Sequence, residues 1–472
     1  MSVTDVRTPT ERTTLLSHPV NQRTPLQHAQ LAIVMLVQIC EPLTSQSIYP
    51  YINQLISELD ITGGDEKKVG YYAGMEALFF LAEAIATLHW SRASDAVGRK
   101  PILLIGLFGS AISMLMFGLS RTFLTLVISR SLCGLLNANV SVMKSTLGDL
   151  TDRTNRADAF VFLPIVWATG ASLGPLIGGS LARPHDRFPQ STFFSTHFWL
   201  RFPYFLPCLV VSGCVIVAWS VVLAFLKETA PRKRQVPTSK HPTNSRPEDR
   251  YGGNTSIPMR QLMTFPVVVS ISNYVVLALL NIIIVALIPL FLAMPITIGG
   301  LGLDPPKIGW ILCIYGFITG LFNLFFFARL VRWIGEKRMF VWGLSTTLLI
   351  FPLFPLMNAL ARERGELWWG VYALITCLLF LGSIMDVSFG AIFMFVTASA
   401  PASSRGAVNG LSQTSVSLAR SIGPILGTSL FSVSVQKNLL GGYFVYVALF
   451  SLSCIAVCLA DRLPDDVWND IE

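Results

Sequence analysis

The chain has 472 residues, of which 52% are hydrophobic and only 13% are charged. This composition leaves too little polar area to cover a water-soluble globule of that length, which excludes soluble enzymes, nucleic-acid-binding proteins and disordered scaffolds. The formal net charge is +8. Its basic residues lie mainly in loops between apolar segments, so the excess indicates membrane topology and no nucleic-acid partner.

The first 28 residues are polar and contain no apolar run. We therefore expect no cleavable signal peptide and a cytosolic N-terminal tail. Within this tail, the segment from Glu11 to Leu16 is similar to an acidic dileucine sorting signal. Such a signal would favour a vacuolar membrane, and the alternative is a plain disordered tail on a plasma-membrane protein.

Twelve apolar segments follow, each near the roughly 20 residues that cross a hydrocarbon core. They are predicted near 29–52, 68–91, 101–120, 122–146, 157–183, 198–226, 264–294, 306–330, 339–360, 367–398, 406–433 and 440–461. We divide the chain into a tail at 1–28, a six-helix bundle at 29–226, a cytosolic linker at 227–260, a second bundle at 261–461 and a cytosolic tail at 462–472. The excess of Lys and Arg on the side of both tails supports this orientation.

Two local alignments indicate that the bundles are repeats of one another. The segment from Gly98 to Gly106 aligns with the segment beginning at Gly335, and Gly174-Pro-Leu-Ile-Gly-Gly aligns with Gly423-Pro-Ile-Leu-Gly-Thr. Parallel six-helix repeats are an architecture of secondary transporters. The predicted fold class is therefore an all-α integral membrane protein with twelve transmembrane helices in two pseudo-symmetric bundles.

Two motifs have a physical interpretation. After the second helix, Asp95, Arg99 and Lys100 can pair with one another and with helix ends around Gly98, which would hold the cytosolic side shut in one state; the alternative is a solvated topogenic loop. In the fifth helix, small residues recur at every fourth position beside a bend at a proline, forming a smooth surface for another helix. These residues are Gly170, Gly174, Pro175 and Gly178, followed by Gly179.

These motifs resemble those of the major facilitator superfamily. The segment from Ser91 to Lys100 is similar to its loop signature G-x-L-A-D-R-x-G-R-K, with Ser91 in place of the first Gly and Ala96 in place of the Arg. The segment from Gly170 to Gly179 matches the G-x-x-x-G-P-x-x-G-G pattern of its proton antiporters. Together with the first helix, they resemble fungal drug:proton antiporter-type transporters, and the chain is also similar to plant zinc-induced facilitator-like proteins. The resemblance implies the major facilitator fold and proton antiport.

Ionisable groups at membrane depth are costly and are functional candidates by default. The predicted proton-coupling residues are Glu41, Glu76, Glu83, Arg130, Asp386 and Arg420. Glu41 is the first choice, with Arg130 approaching it in one conformation. Glu76 and Glu83 share a helix face, where they would face water, pair with a cation or hold a proton; the alternative is that each packs separately at a helix interface. Asp386 and Arg420 could pair near the midplane.

Polar residues at helical spacing predict the wall of a water-filled cavity; the alternative is hydrogen bonding inside a dry bundle. The candidate substrate residues are Gln38, Ser45, Tyr49, Asn137, Ser141, Lys144, Asn273, Asn281, Asn409, Gln413 and Ser417. Aromatic residues are expected beside them or facing lipid, namely Phe79, Phe80, Tyr274 and Phe291. Such a mixture suits amphipathic organic molecules.

The predicted function is a secondary active transporter that exports or sequesters small amphipathic organic compounds by proton antiport through alternating access. It would act as a monomer in the lipid bilayer, with small-molecule substrate and protons as partners and with no cofactor or metal. The alternatives are a facilitator for metal chelates, sugars or other polar metabolites, and a non-transporting sensor. No phosphate-binding loop for ATP and no paired His or Cys motif of a membrane enzyme is found, so an enzyme is not expected.

Overall fold

The computed structural model describes residues 27–137, 139–151, 155, 162–229, 263–399 and 405–464, and the regular structure within these ranges is helical. The dileucine segment and most of the predicted linker lie outside the described residues. The helices of the first half are α1 (His28–Gln46), α2 (Ile52–Ser57), α3 (Val69–Ala73), α4 (Glu76–Val97), α5 (Arg99–Gly118), α6 (Phe123–Leu136), α7 (Asn139–Leu150), α8 (Phe162–Leu181), α9 (Pro184–Arg187), α10 (His197–Arg201) and α11 (Phe205–Phe225).

The second half begins with a long helix after the linker. Its helices are α12 (Phe265–Ala293), α13 (Pro305–Ile334), α14 (Glu336–Ser345), α15 (Thr347–Arg364), α16 (Trp369–Ala398), α17 (Arg405–Gln436) and α18 (Phe444–Ala460). Single 3-10 turns lie in the connections at Asp60–Thr62, Glu66–Lys68, Ile296–Ile298 and Leu439–Gly442. Successive long helices alternate in direction, so the molecule has two ends. We name them the Gly98 end, which also carries Gly335, and the Gly63 end, which also carries Gly299 and Gly365.

Eight helices in the described part of the chain are long and apolar enough to cross a membrane, and three further apolar helices have 10–17 residues. Multi-pass membrane insertion follows from them. The predicted fourth span, 122–146, is divided in the structure: α6 ends at Leu136 and α7 begins at Asn139, because Asn137 leaves the helical region with φ −79° and ψ 53°. The total of twelve spans and the limits of the two bundles stay predictions.

The aligned glycines of the two halves occupy equivalent positions in the structure. Gly98 joins α4 to α5 with φ +122°, and Gly335 joins α13 to α14 with φ +82°, a region that only glycine enters without strain. Gly174 of α8 packs on the backbone of α1, whereas Gly423 of α17 packs on Ile282 of α12. This correspondence supports the predicted internal repeat.

The two halves meet where α8 packs on α13 and α4 packs on α17. At the Gly63 end, the Tyr71 hydroxyl donates a 3.0 Å hydrogen bond to Gln436. Close by, Gly70 faces Thr428 and Ser432, and Gly74 lies against Ile425. These contacts hold the halves together on the Gly63 side, and residues of both halves line a cavity between them.

Candidate functional site

The central cavity has a volume of about 630 Å³ and is bounded by both halves. Its charged lining residues are Glu41, Glu76, Asp386 and Arg420. Its aromatic lining residues are Tyr49, Phe79, Phe80, Trp167, Tyr315, Phe327 and Phe389. A pocket of this size accommodates a drug-sized molecule, and its mixed wall offers both apolar surface and a few fixed polar groups.

Glu41 lies on α1 at the cavity wall, next to Pro42 and one turn from Ser45. Its Oε2 atom is buried and makes no hydrogen bond to any residue that the structure describes. The cations that act electrostatically on this carboxyl are Lys144 and Arg420, and Glu83 acts on it as a second acid. The residue therefore combines a position on the cavity wall with a buried acceptor atom that has no hydrogen-bond partner among the described residues.

Glu76 pairs with Arg130. In this conformation Arg130 therefore has a partner other than Glu41, the acid that the sequence suggested it approaches in one state. The pair joins α4 to α6, and the two side chains are only 3% and 1% exposed. The guanidinium lies 5.0 Å from the ring of Phe79 and 5.9 Å from that of Phe117. Among the described residues, Glu76 Oε1 and Arg130 Nε and Nη1 have no hydrogen-bond partner. The pair is thus deeply buried, with part of its hydrogen-bonding capacity unused.

Glu83 forms a second link between the same helices, since Asn137 donates a 3.5 Å hydrogen bond to it. Gly134 lies between the two links and lets α6 approach the α4 backbone at Phe79. Arg130 and Asn137 are seven residues apart, as are Glu76 and Glu83. Both side chains therefore reach an acceptor on α4. Both acids thus contact α6, Glu76 through a cation, as one predicted alternative had it, and Glu83 through an amide; Asn137 does not line the cavity.

Asp386 on α16 has neutral partners in place of the predicted Arg420. Asn281 donates to Oδ1 at 2.8 Å and the Tyr315 hydroxyl donates to Oδ2 at 2.9 Å. Arg420 also lines the cavity but acts on Glu41 and Glu83. The structure therefore places Glu41 and Arg420 on the wall of one cavity and leaves Asp386 as a separate acid on the wall formed by the second half.

The other polar candidates lie at varied depths. Ser45, Tyr49 and Asn281 line the cavity, whereas Lys144 is exposed and Ser141 has a side chain outside the described part. Asn273 donates to the Val269 and Leu459 carbonyls, so it joins α12 to α18. Four candidates lie away from the cavity wall: Gln38, Asn409, Gln413 and Ser417. Gln38 is buried on α1, and Gln413 donates a hydrogen bond to Tyr274.

Of the aromatic candidates, Phe79 and Phe80 line the cavity, and Phe291 packs on Phe354 in the core.

The loop motif at the Gly98 end is centred on Arg99. Its guanidinium donates to Asp95 at 2.5 Å, to Ser94 at 2.6 Å and to Asp149 at 3.2 Å. Asp149 was not predicted, because a lone acid at the end of a helix has no distinctive spacing. In this conformation the three partners all belong to the first half, so the motif does not bridge the halves through them.

Glu228, at the start of the linker, is a second residue that sequence reasoning missed. Its carboxylate accepts hydrogen bonds from the backbone N–H groups of Arg99 at 2.8 Å and Lys100 at 3.1 Å. It therefore caps the first turn of α5, where a negative charge is favourable. Lys100 in turn donates to the Leu223 carbonyl at 2.8 Å. In the sequence, the only indication of this role was the position of an acidic residue just after the sixth apolar segment.

We expect Gly98→Ala to destabilise the protein more than Gly335→Ala. Both replacements place a side chain in a backbone region that costs about 1–3 kcal/mol. At Gly98 the new Cβ would also lie 2.6 Å from Glu228 Oε2, whereas nothing lies within 4 Å of a Cβ at Gly335. Thermal unfolding of both variants in detergent measures the difference, and equal midpoints would show that the Glu228 carboxylate moves aside without cost.

The glycine motif of α8 serves two interfaces. Gly170, Gly174 and Gly178 pack on the α1 backbone between Ile39 and Ser47, which confirms the predicted close packing. Gly179 faces Pro305 and Gly309 of α13, in the other half. Sequence reasoning missed the matching small residues of α13, which are Gly309, Gly316 and Gly320. Their spacing of seven and four residues was the available signal.

The model of the Major Facilitator Superfamily matches residues 34–424 and 275–470. The "Major facilitator superfamily multidrug transporter mfsB" of Aspergillus fumigatus is 28% identical over 92% of this chain and 82% of its own length. "Protein ZINC INDUCED FACILITATOR 1" of Arabidopsis thaliana is 26% identical over 92% of this chain and 90% of its own length. The crystal structure of a D-xylose-proton symporter superposes with a TM-score of 0.70 at 14% identity, covering 93% of this chain and 99% of that one.

Proposed function

We propose that this chain, which belongs to the Major Facilitator Superfamily, exports or sequesters small amphipathic organic compounds in exchange for protons. The observation that carries the proposal is the position of Glu41. Its carboxyl lines the central cavity and has a buried oxygen with no hydrogen-bond partner among the described residues. One group can therefore meet both a proton and a compound that occupies the cavity.

The substrate class follows from the cavity wall. Rings such as Phe79, Phe80 and Phe389 offer apolar faces, whereas Asn281 and Thr319 offer hydrogen bonds. A volume of about 630 Å³ suits a drug-sized compound with both apolar and polar parts. A multidrug transporter among the relatives is consistent with this class.

Transport would proceed by alternating access. With both tails in the cytosol, the Gly98 end faces the cytosol, and the present contacts at the Gly63 end close the opposite side. Opening that side requires the halves to separate at α3 and α17 and to approach each other near Asp95 and Arg99. Glu41 would carry a proton inward and release it when substrate enters from the cytosol. One chain contains both bundles, so a monomer in the plasma or vacuolar membrane suffices.

Glu41→Gln is expected to abolish uphill transport while leaving passive exchange intact, because glutamine keeps the shape and polarity of the side chain but holds no exchangeable proton. The measurement is uptake of a panel of labelled amphipathic compounds into proteoliposomes with an acidic lumen. The matched control is Glu363→Gln, the same replacement at an exposed acid of α15 on the Gly63 end. It should accumulate substrate like the native protein.

The other outcomes discriminate among the alternatives. Uphill accumulation by Glu41→Gln would show that another acid couples transport. Flux of sugars or metal chelates with no flux of amphipathic compounds would replace the proposed substrate class. Correctly inserted protein that moves no compound would favour a non-transporting sensor.

A further inference from the structure

Asp386 is an acid in the cavity that the proton-exchange mechanism does not use. It lies on α16, in the second half, whereas Glu41 lies on α1 in the first. Both of its oxygens accept hydrogen bonds, one from the Asn281 amide at 2.8 Å and one from the Tyr315 hydroxyl at 2.9 Å. An amide nitrogen can only donate, so Oδ1 is an acceptor, and a hydroxyl donating to Oδ2 leaves both oxygens free to carry the charge of a carboxylate.

The negative charge of Asp386 has no cationic partner among the described residues. The ion pairs found there do not include it, and the groups that act on it are Tyr315 and Asn281, both neutral. The cavity cation, Arg420, acts instead on Glu41 and Glu83. An unpaired carboxylate at membrane depth is costly, and a mobile cation from the cavity would relieve that cost.

The walls next to Asp386 are aromatic. Phe389 lies three residues further along α16, so it is on the same side of that helix, and Tyr315 is already in contact with the carboxylate. Phe327 of α13 lies against Gly390, one residue beyond Phe389. Ring faces around an anion form a site that attracts an organic cation through both cation–π contacts and apolar burial.

We propose that Asp386, held by Asn281 and Tyr315, is the counter-ion for a positively charged group of the transported compound, so that the cavity selects amphipathic organic cations. The proposal rests on the proposed function and narrows its substrate class. Asn281 and Tyr315 are positioning residues, since they fix the carboxylate with its charge toward the cavity. Glu41 keeps the separate task of carrying the proton.

The test uses equilibrium binding to the purified full chain in detergent, with no proton gradient. The probes are tetraphenylphosphonium and tetraphenylborate, which share a shape and differ in the sign of their charge. The native protein is expected to bind the cation more tightly than the anion. Asp386→Asn should weaken binding of the cation by about tenfold or more and should not weaken binding of the anion.

Two variants control for shape and folding. Asp386→Glu keeps the charge and is expected to retain the preference for the cation, and Glu363→Gln should bind both probes as the native protein does. Equal losses for both probes in Asp386→Asn would assign a structural role, and no loss for the cation would mean that Asp386 holds only a proton; either result overturns the proposal. Tighter binding of the anion by the native protein overturns it without any variant. Because binding needs no gradient, failure of proton antiport leaves this result unchanged.

Discussion

Gly179→Val is expected to destabilise the contact between the two halves by about 3 kcal/mol or more and to abolish transport, since the extra atoms must enter a site with no free volume. A Cβ at this position would lie 2.9 Å from the Gly309 Cα atom and would also meet the Pro305 carbonyl. Both neighbours are backbone and cannot rotate away. The measurement is the thermal unfolding midpoint in detergent, together with uptake in proteoliposomes.

The matched control is Gly213→Val, on α11. Gly213 is also a glycine of a membrane helix, but nothing lies within 4 Å of a Cβ built on it. It should unfold close to the native midpoint, so a loss in Gly179→Val alone points to the crossing of α8 and α13. Equal effects of the two replacements would show instead that the larger side chain is harmful anywhere on these helices.

Arg130→Met is expected to lower the free energy of unfolding by about 3–5 kcal/mol, because it leaves the Glu76 carboxylate buried without its cation. The Glu76 side chain is only 3% exposed. Glu76→Gln should also destabilise the protein, by leaving the guanidinium without its anion. The double replacement, Glu76→Gln with Arg130→Met, should recover most of the loss, since no uncompensated charge remains.

Denaturant or thermal unfolding of the four proteins gives this double-mutant cycle. Losses that simply add would mean that the two side chains do not stabilise each other. Transport by the double variant is measured separately, to test whether the ion pair has a role beyond stability. If that variant is stable but inactive, the ion pair also takes part in the transport cycle, whereas full activity would restrict it to packing.

The sequence was sufficient for those features that depend on spacing along one helix. Apolar length predicted membrane spans, and the four-residue repeat of Gly170, Gly174 and Gly178 predicted a close helix contact that the structure contains. The paired turns at Gly98 and Gly335 were also visible, since a glycine between two apolar runs marks a break in both repeats. Each of these properties is local, so no knowledge of the partner helix was needed.

The partners themselves could not be predicted from spacing. Asp386 and Arg420 were placed at similar depth, but depth does not fix the direction in which a side chain points, and Asp386 has Asn281 and Tyr315 instead. Arg130 and Asn137 lie on one side of the predicted fourth span. A row of polar residues that faces water and one that faces another helix have the same period, so the sequence could not distinguish them. Only the position of Glu76 on α4 decides that Arg130 points to that helix.

The crossing of α8 and α13 brings two backbones together at Gly179 and Gly309, neither of which carries a side chain. Interdigitated side chains hold a helix pair in one register, because each shift must move whole rotamers out of their wells. Two glycine backbones in contact impose no such register. At this point one half can therefore rotate against the other through small angles while the two helices stay in contact.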